Sequence, residues 1–194
     1  MHLVFDICQG IGVAAAVGIR PFLPALVTGA LAAGNVEIHF SHTDYSFLQS
    51  WPFLLAMALC VALGLTIVAT LGASSRSGAE IVIGVISLAL GALFFAGSLA
   101  RGHYAAWPGL IGGVVCAAVG IAASLPLLRR VRARLDAEAA RALPLLAEGA
   151  AAVAAGLSVI APPVGAIVLV GLIWFLVTGR RRGEQKYAGL RILR

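Results

Sequence analysis

Residues 142–179 read ALPLLAEGAAAVAAGLSVIAPPVGAIVLVGLIWFLVTG and carry one charged side chain, that of Glu148. A transmembrane helix needs about 20 apolar residues to cross roughly 30 Å of hydrocarbon, so this run is long enough for two crossings. Pro162 and Pro163 stand near its middle, where they remove two backbone N–H donors and disfavour a continuous helix. We therefore predict a helical hairpin that is broken at these prolines.

The N-terminal apolar run, residues 3–34, has a similar organisation. As one straight helix it would be about 47 Å long, too long for one crossing and short for two full ones. Because Pro21 and Pro24 stand near its middle, we predict a second broken hairpin. Three ordinary apolar spans separate the two hairpins, at residues 47–73, 79–100 and 106–128.

The composition is that of a membrane protein. Hydrophobic residues make up 61% of the chain and charged residues 11%. A soluble domain of this length could not bury so many apolar side chains. We predict an all-α integral membrane protein of about seven membrane segments, in a single transmembrane domain over residues 1–194 with a basic tail at 180–194. No Lys or Arg precedes Arg20, so we expect the first run to be retained rather than removed as a signal peptide.

The basic residues are distributed asymmetrically. Twelve of the fourteen fall in alternate connections or in the tail: at Arg76, between Arg129 and Arg141, and within 180–194. By the positive-inside rule this side is cytoplasmic, with the N-terminus outside and the C-terminus inside. Of the remaining two, Arg101 lies on the opposite side and Arg20 within the first apolar run. Membrane lipids therefore explain the net charge of +6, and nucleic acid is not an expected partner.

The two hairpins resemble each other. Placing Gly18 on Gly156 pairs Pro24 with Pro162, and the charge asymmetry makes the hairpins start from opposite faces. Inverted-topology repeats have this arrangement, with binding sites at broken helices near the midplane. Two interpretations stay open, a true inverted repeat and the likeness that Ala-rich hairpins share by composition.

Three charged residues are candidates for a site. An arginine in an apolar run by default faces a cavity, an anion or an acidic partner, and Arg20 stands where amides of the next helix would add positive field. Asp6 and Glu148 are the acids expected within hydrocarbon depth, and either could pair with Arg20 or carry a proton. The alternative is that Arg20 snorkels to cytoplasmic headgroups and that both acids lie at the interface.

The outer loop offers a weak metal pattern, and the glycines offer a packing motif. His39, His42 and Asp44 are residue types that suit transition metals, but residues 36–40 alternate as an extended segment does, which would not put all three on one face. We therefore predict no metal. The small-xxx-small pair at 109 and 113, Gly109 and Gly113, favours close helix contact, either inside the bundle or between copies in a homo-oligomer.

Enzyme motifs are missing from the sequence. It contains no Gly-rich phosphate loop after a strand, no nucleophile elbow, no His-Glu-x-x-His and no paired Cys motif. We therefore predict neither an enzyme nor a cofactor.

Residues 18–24, GIRPFLP, resemble the opening motif of a bacterial membrane-protein family known as domain of unknown function 4126. The resemblance extends to residues 50–53, to 145–148 and to the tail 186–194, which is similar to the tails of actinobacterial relatives. Where members carry an acidic and basic cluster, this chain has GASSR at 72–76, so no site is carried over there. The resemblance implies a membrane fold in the bacterial inner membrane and leaves the activity open.

These patterns predict a small transporter or channel-like protein. It would move a small solute, an ion or an anionic lipid headgroup through a site between the two broken hairpins. Arg20 would contact the anionic group, Glu148 or Asp6 would supply a countercharge or carry a proton, and the hinges would be Gly18, Pro21, Pro24, Gly156, Pro162 and Pro163. The alternative is a structural or accessory protein whose basic tail recruits a cytoplasmic partner. A polar cavity at the breaks would favour transport, and solid packing there would favour a scaffold.

Overall fold

The structure is a computed structural model that describes residues 2–38, 40, 43–71 and 77–188. Within these ranges the chain forms seven α-helices, one short 3₁₀ helix (Ser46–Gln49) and no strand, which confirms the predicted all-α class. Residues 189–194 of the basic tail lie outside the described residues. The helices are α1 (His2–Ile19), α2 (Phe22–Ala33), α3 (Trp51–Leu71), α4 (Ser77–Arg101), α5 (Trp107–Arg132), α6 (Ala137–Ile160) and α7 (Pro162–Ala188).

Four helices of the described chain are long and apolar enough to cross a membrane, namely α4, α5, α6 and α7. Helices α1 and α2 are apolar but shorter, and so is the Trp51–Thr66 part of α3. Large apolar side chains on the long helices face outward, as Trp174 does with 72% of its surface exposed. Such a surface suits hydrocarbon rather than water, so the chain is a helical membrane protein.

Helix α1 lies at the centre of the bundle, in contact with α4, α5, α6 and α7. Its residues from Val13 to Val17 are almost completely buried. Helices in lipid associate by close packing rather than by hydrophobic exclusion, which favours small residues at their contacts. Gly18 accordingly lies against Ala117 of α5, and Gly12 lies against Gly165 of α7. The Ala- and Gly-rich composition of α1 is therefore what allows four helices to pack around it.

The glycine pair of α5 faces α4. Gly109 lies against Ala96, and Gly113 lies against the backbone of Gly91. Both glycines are buried, so of the two uses left open by the sequence, the structure places this pair in contacts inside the bundle.

The first hairpin breaks at Arg20 and Pro21, between the end of α1 and the start of α2 at Phe22. Proline is tolerated in the first turn of a helix, because the N–H groups there have no intrahelical partner. Pro24 lies in this first turn of α2, past the break. The local chemistry of Pro21 therefore accounts for the end of α1.

The second hairpin breaks at Ala161, directly before Pro162 and Pro163, which begin α7. Gly18 and Gly156, by contrast, lie inside α1 and α6, where the helices are continuous. Of the residues expected to be hinges, the structure therefore puts only the prolines at 21 and 162 directly beside a break.

The two hairpins interlock. Helix α1 contacts both α6 and α7, and helix α6 contacts both α1 and α2. The first helix of each hairpin thus packs against both helices of the other, and this arrangement brings side chains of one hairpin to the break of the other.

Candidate functional site

Arg20 lies inside the bundle, near the end at which the basic residues cluster. A Cβ added to Gly120 of α5 would lie 3.0 Å from the Cα of Gly18, so these two residues are level with each other. From Gly120, α5 continues for nine residues to Arg129, the first arginine of the cluster, a rise of about 14 Å. Arg20 therefore lies about 10 Å inside that end.

The side chain of Glu148, on α6, caps the N-terminus of α2 at the break between α1 and α2. Pro21 provides no side-chain cap for α2, and the Leu23 N–H donates instead to Glu148 Oε2 at 3.2 Å. The carboxylate thus occupies the positive end of the helix dipole, and the charge of Arg20 acts on it as well. Of the two acids considered as partners, the structure places Glu148 near enough to Arg20 for their charges to interact, without a salt bridge between them in the described chain.

The Arg20 side chain has a buried donor with no hydrogen-bond partner in the described chain. Its Nε atom is buried and makes no hydrogen bond to any described group, although the residue as a whole is half-buried. A buried guanidinium donor without a partner is costly unless a further acceptor reaches it. Arg20, Glu148 and the first amides of α2 therefore form a polar site in which the buried Arg20 Nε–H is an unused donor.

A second polar contact lies at the α6–α7 break. Pro162 and Pro163 lack N–H groups, so the carbonyls of Ser158 and Val159 lose their helical donors. Gln9 of α1 replaces one of these donors, since its Nε2 donates to the Val159 carbonyl at 3.1 Å. The Gln9 Oε1 atom is buried and has no hydrogen-bond partner in the part of the chain that the structure describes.

The two breaks are therefore capped reciprocally. Glu148 reaches the break of the first hairpin, and Gln9 reaches the break of the second. Gln9 precedes Arg20 by 11 residues, about 16 Å along α1, so the breaks lie towards opposite ends of the bundle. Sequence reasoning missed Gln9, although an amide in an otherwise apolar helix was an available signal.

Asp6 lies away from Arg20 and pairs with another arginine. It is 3% exposed and forms an ion pair with Arg101 at the end of α4. Arg101 also donates to the carbonyl of Glu37, in the connection between α2 and α3. Asp6 precedes Arg20 by 14 residues, about 21 Å along α1. The pairing of Asp6 with Arg20 that the sequence left open is therefore replaced by a pairing with Arg101.

The weak metal pattern cannot be placed as a whole. His39 and His42 lie outside the described residues, and Asp44 is exposed. Over residues that the structure describes, no group of three or more His, Cys, Asp or Glu side chains is arranged to hold a metal ion.

Comparison with known proteins identifies the family. The model of the family described as Domain of unknown function (DUF4126) matches residues 7–182. The match covers most of the chain and includes both breaks, so the chain belongs to this family, as its sequence resemblance predicted. No curated protein and no solved structure matched the chain.

Proposed function

We propose that this member of the family is a small membrane transporter or channel-like protein that binds an anionic group at the α1–α2 break. The observation that carries the proposal is the Arg20 Nε, a buried donor beside a helix N-terminus that has no hydrogen-bond partner among the described residues. A charge within the hydrocarbon region is costly and by default marks a pathway for a substrate or an ion. We propose further that the protein lies in the bacterial inner membrane and is not an enzyme.

Glu148 occupies the position that an anionic ligand would take. Its carboxylate accepts the Leu23 N–H and interacts electrostatically with the charge of Arg20. An entering anion must displace this carboxylate. Once separated from Arg20 and from the helix end, the carboxylate is stabilised by taking up a proton, because an isolated charge is costly in an apolar medium. The anion and a proton would then move together.

An inverted pair of hairpins would give this site alternating access. Three observations support the pair: the interlocked contacts of α1 and α6, the reciprocal caps from Gln9 and Glu148, and the position of the breaks towards opposite ends. In inverted-repeat transporters one repeat rocks against the other around a site at broken helices.

The orientation of the protein is tested by cysteine labelling. In a variant without the three native cysteines, a membrane-impermeant maleimide applied to intact cells should label Thr43→Cys and leave Gln185→Cys unlabelled, because the basic side is cytoplasmic. Gln185→Cys should react after permeabilisation. Labelling of position 185 but not 43 in intact cells would reverse the orientation.

Arg20→Lys is expected to weaken anion binding by about 10-fold or more while the protein still inserts and folds. Lysine retains the charge but not the planar fork that holds a phosphate or carboxylate through two hydrogen bonds. Binding of inorganic phosphate to the purified protein in a neutral detergent measures the effect. Unchanged elution in size-exclusion chromatography and an unchanged thermal unfolding profile serve as the control for folding.

Glu148→Gln gives the opposite result if the carboxylate competes with the ligand. The amide can still accept the Leu23 N–H but does not repel an anion, so phosphate affinity should rise by about 10-fold. A second assay, binding to vesicles that contain phosphatidylglycerol, distinguishes a lipid headgroup from free phosphate as the anionic ligand. Wild-type affinity of Arg20→Lys in both assays would refute the site and leave Arg20 as a snorkelling anchor.

A further inference from the structure

The Gln9 amide is buried, and its oxygen atom accepts no hydrogen bond from the residues that the structure describes. The residue is 1% exposed, and its Nε2 donates to the Val159 carbonyl. Its Oε1 is buried and has no partner among the groups that the structure describes. Burial of an amide oxygen without a partner carries a desolvation penalty, and a bound cation at Oε1 would remove it.

Further oxygen atoms belong to Ser158, the residue next to Val159. Pro162 deprives the Ser158 carbonyl of its helical donor. The Ser158 hydroxyl donates to the Ala154 carbonyl, which leaves its lone pairs for another partner. This hydroxyl lies against Gly12, since a Cβ added there would be 2.2 Å from Ser158 Oγ. Gly12 is one turn after Gln9, so the break presents oxygen lone pairs on both sides of the α1–α6 contact.

The chemistry of these oxygens selects the class of ligand. The C-terminal end of α6 carries partial negative charge, and half-helix ends with unwound carbonyls coordinate cations in transporters. Amide and hydroxyl groups do not titrate near neutral pH, which disfavours a bound proton. Divalent ions prefer carboxylates, and the acid one turn before Gln9, Asp6, is already paired with Arg101. A neutral set of oxygens fits a monovalent cation.

We propose that the α6–α7 break binds a monovalent alkali cation, with Gln9 Oε1 and the Ser158 oxygens among its ligands. The site lies about 16 Å along α1 from Arg20. Cation binding does not require the proposed transport function; only a role as coupling ion rests on it.

Thermal unfolding of the purified full chain in neutral detergent tests the site. Lithium, sodium and potassium chloride are compared with N-methyl-D-glucamine chloride at one chloride concentration, so that conditions at the Arg20 site do not change. At about 100 times its dissociation constant, at least one alkali ion should raise Tm by about 5–10 °C in a saturable way. Equal Tm values in all four salts would overturn the proposal.

Variants locate the effect. Gln9→Met keeps the side-chain length without the oxygen and should abolish the Tm rise. Because this variant also loses the bond to Val159 and could fail to fold, Ser158→Ala provides a milder test, with the ion midpoint shifted about 10-fold upward. The proposal would be overturned if Ser158→Ala showed the same ion-dependent Tm rise as the wild type and Gln9→Met, where it folds, did so too.

Two controls separate the site from general effects. Thr28→Val removes a wholly buried hydroxyl outside the proposed site that has no hydrogen-bond partner in the described chain, and it should leave the ion-dependent Tm rise intact. A loss in Thr28→Val equal to that in Gln9→Met would refute a specific site. Arg20→Lys should also retain the rise, so failure of the anion site and failure of the cation site are observed independently.

Discussion

Gly165→Ala is expected to destabilise the protein by about 2 kcal/mol or more, or to prevent its folding. The added Cβ would lie 2.1 Å from the Cys8 carbonyl oxygen and 3.0 Å from the Cα of Gly12. Both are backbone atoms of α1, so no side-chain rotation can relieve the clash and α7 must move away from the central helix. Alanine favours a helix over glycine by about 1 kcal/mol, which is smaller than this cost of separation.

The same helix provides the matched control. Gly171 of α7 has no atom within 4 Å of an added Cβ, so Gly171→Ala should leave stability unchanged or raise it by up to about 1 kcal/mol. Unfolding of both variants and the wild type by titration with sodium dodecyl sulfate measures the difference. Equal stability of the two variants would show that α1 and α7 are not in backbone contact.

The helix breaks and Arg20 could be predicted from the sequence because their signals are local. Proline removes an N–H wherever the chain is placed, so the prolines at 21 and 162 end the preceding helices without help from tertiary contacts. An arginine in an apolar run is conspicuous for a similar reason, since its cost depends on the medium rather than on one neighbour.

The partners of the polar groups could not be predicted, because they depend on which helices are neighbours. Nothing in residues 3–34 shows that α1 is central, so the sequence could not choose between Arg20 and Arg101 as the partner of Asp6. The contact between Gln9 and Val159 joins residues separated by 150 positions, and it exists because the hairpins interlock. A glycine inside a helix, such as Gly18, likewise gives no sign of whether it serves as a hinge or as a contact.

Asp6→Ala is expected to cost about 3–5 kcal/mol, because it leaves the Arg101 guanidinium without its charged partner in a buried setting. Asp6 is buried and Arg101 largely so, and the pair joins α1 to α4 and, through the Glu37 carbonyl, to the connection between α2 and α3. Unfolding in sodium dodecyl sulfate measures the loss.

The pair formed by Glu80 and Arg129 is the matched control, since its side chains are 49% and 69% exposed. Glu80→Ala should therefore cost only about 0–1 kcal/mol. Asp6→Leu combined with Arg101→Met should recover most of the stability lost in Asp6→Ala, because apolar replacement of a buried pair is often neutral. Equal losses in Asp6→Ala and Glu80→Ala would show that the Asp6 pair is effectively solvated. If the losses differ as expected, three segments are held together at the end of the bundle opposite Arg20, and opening that end would require the Asp6 pair to separate.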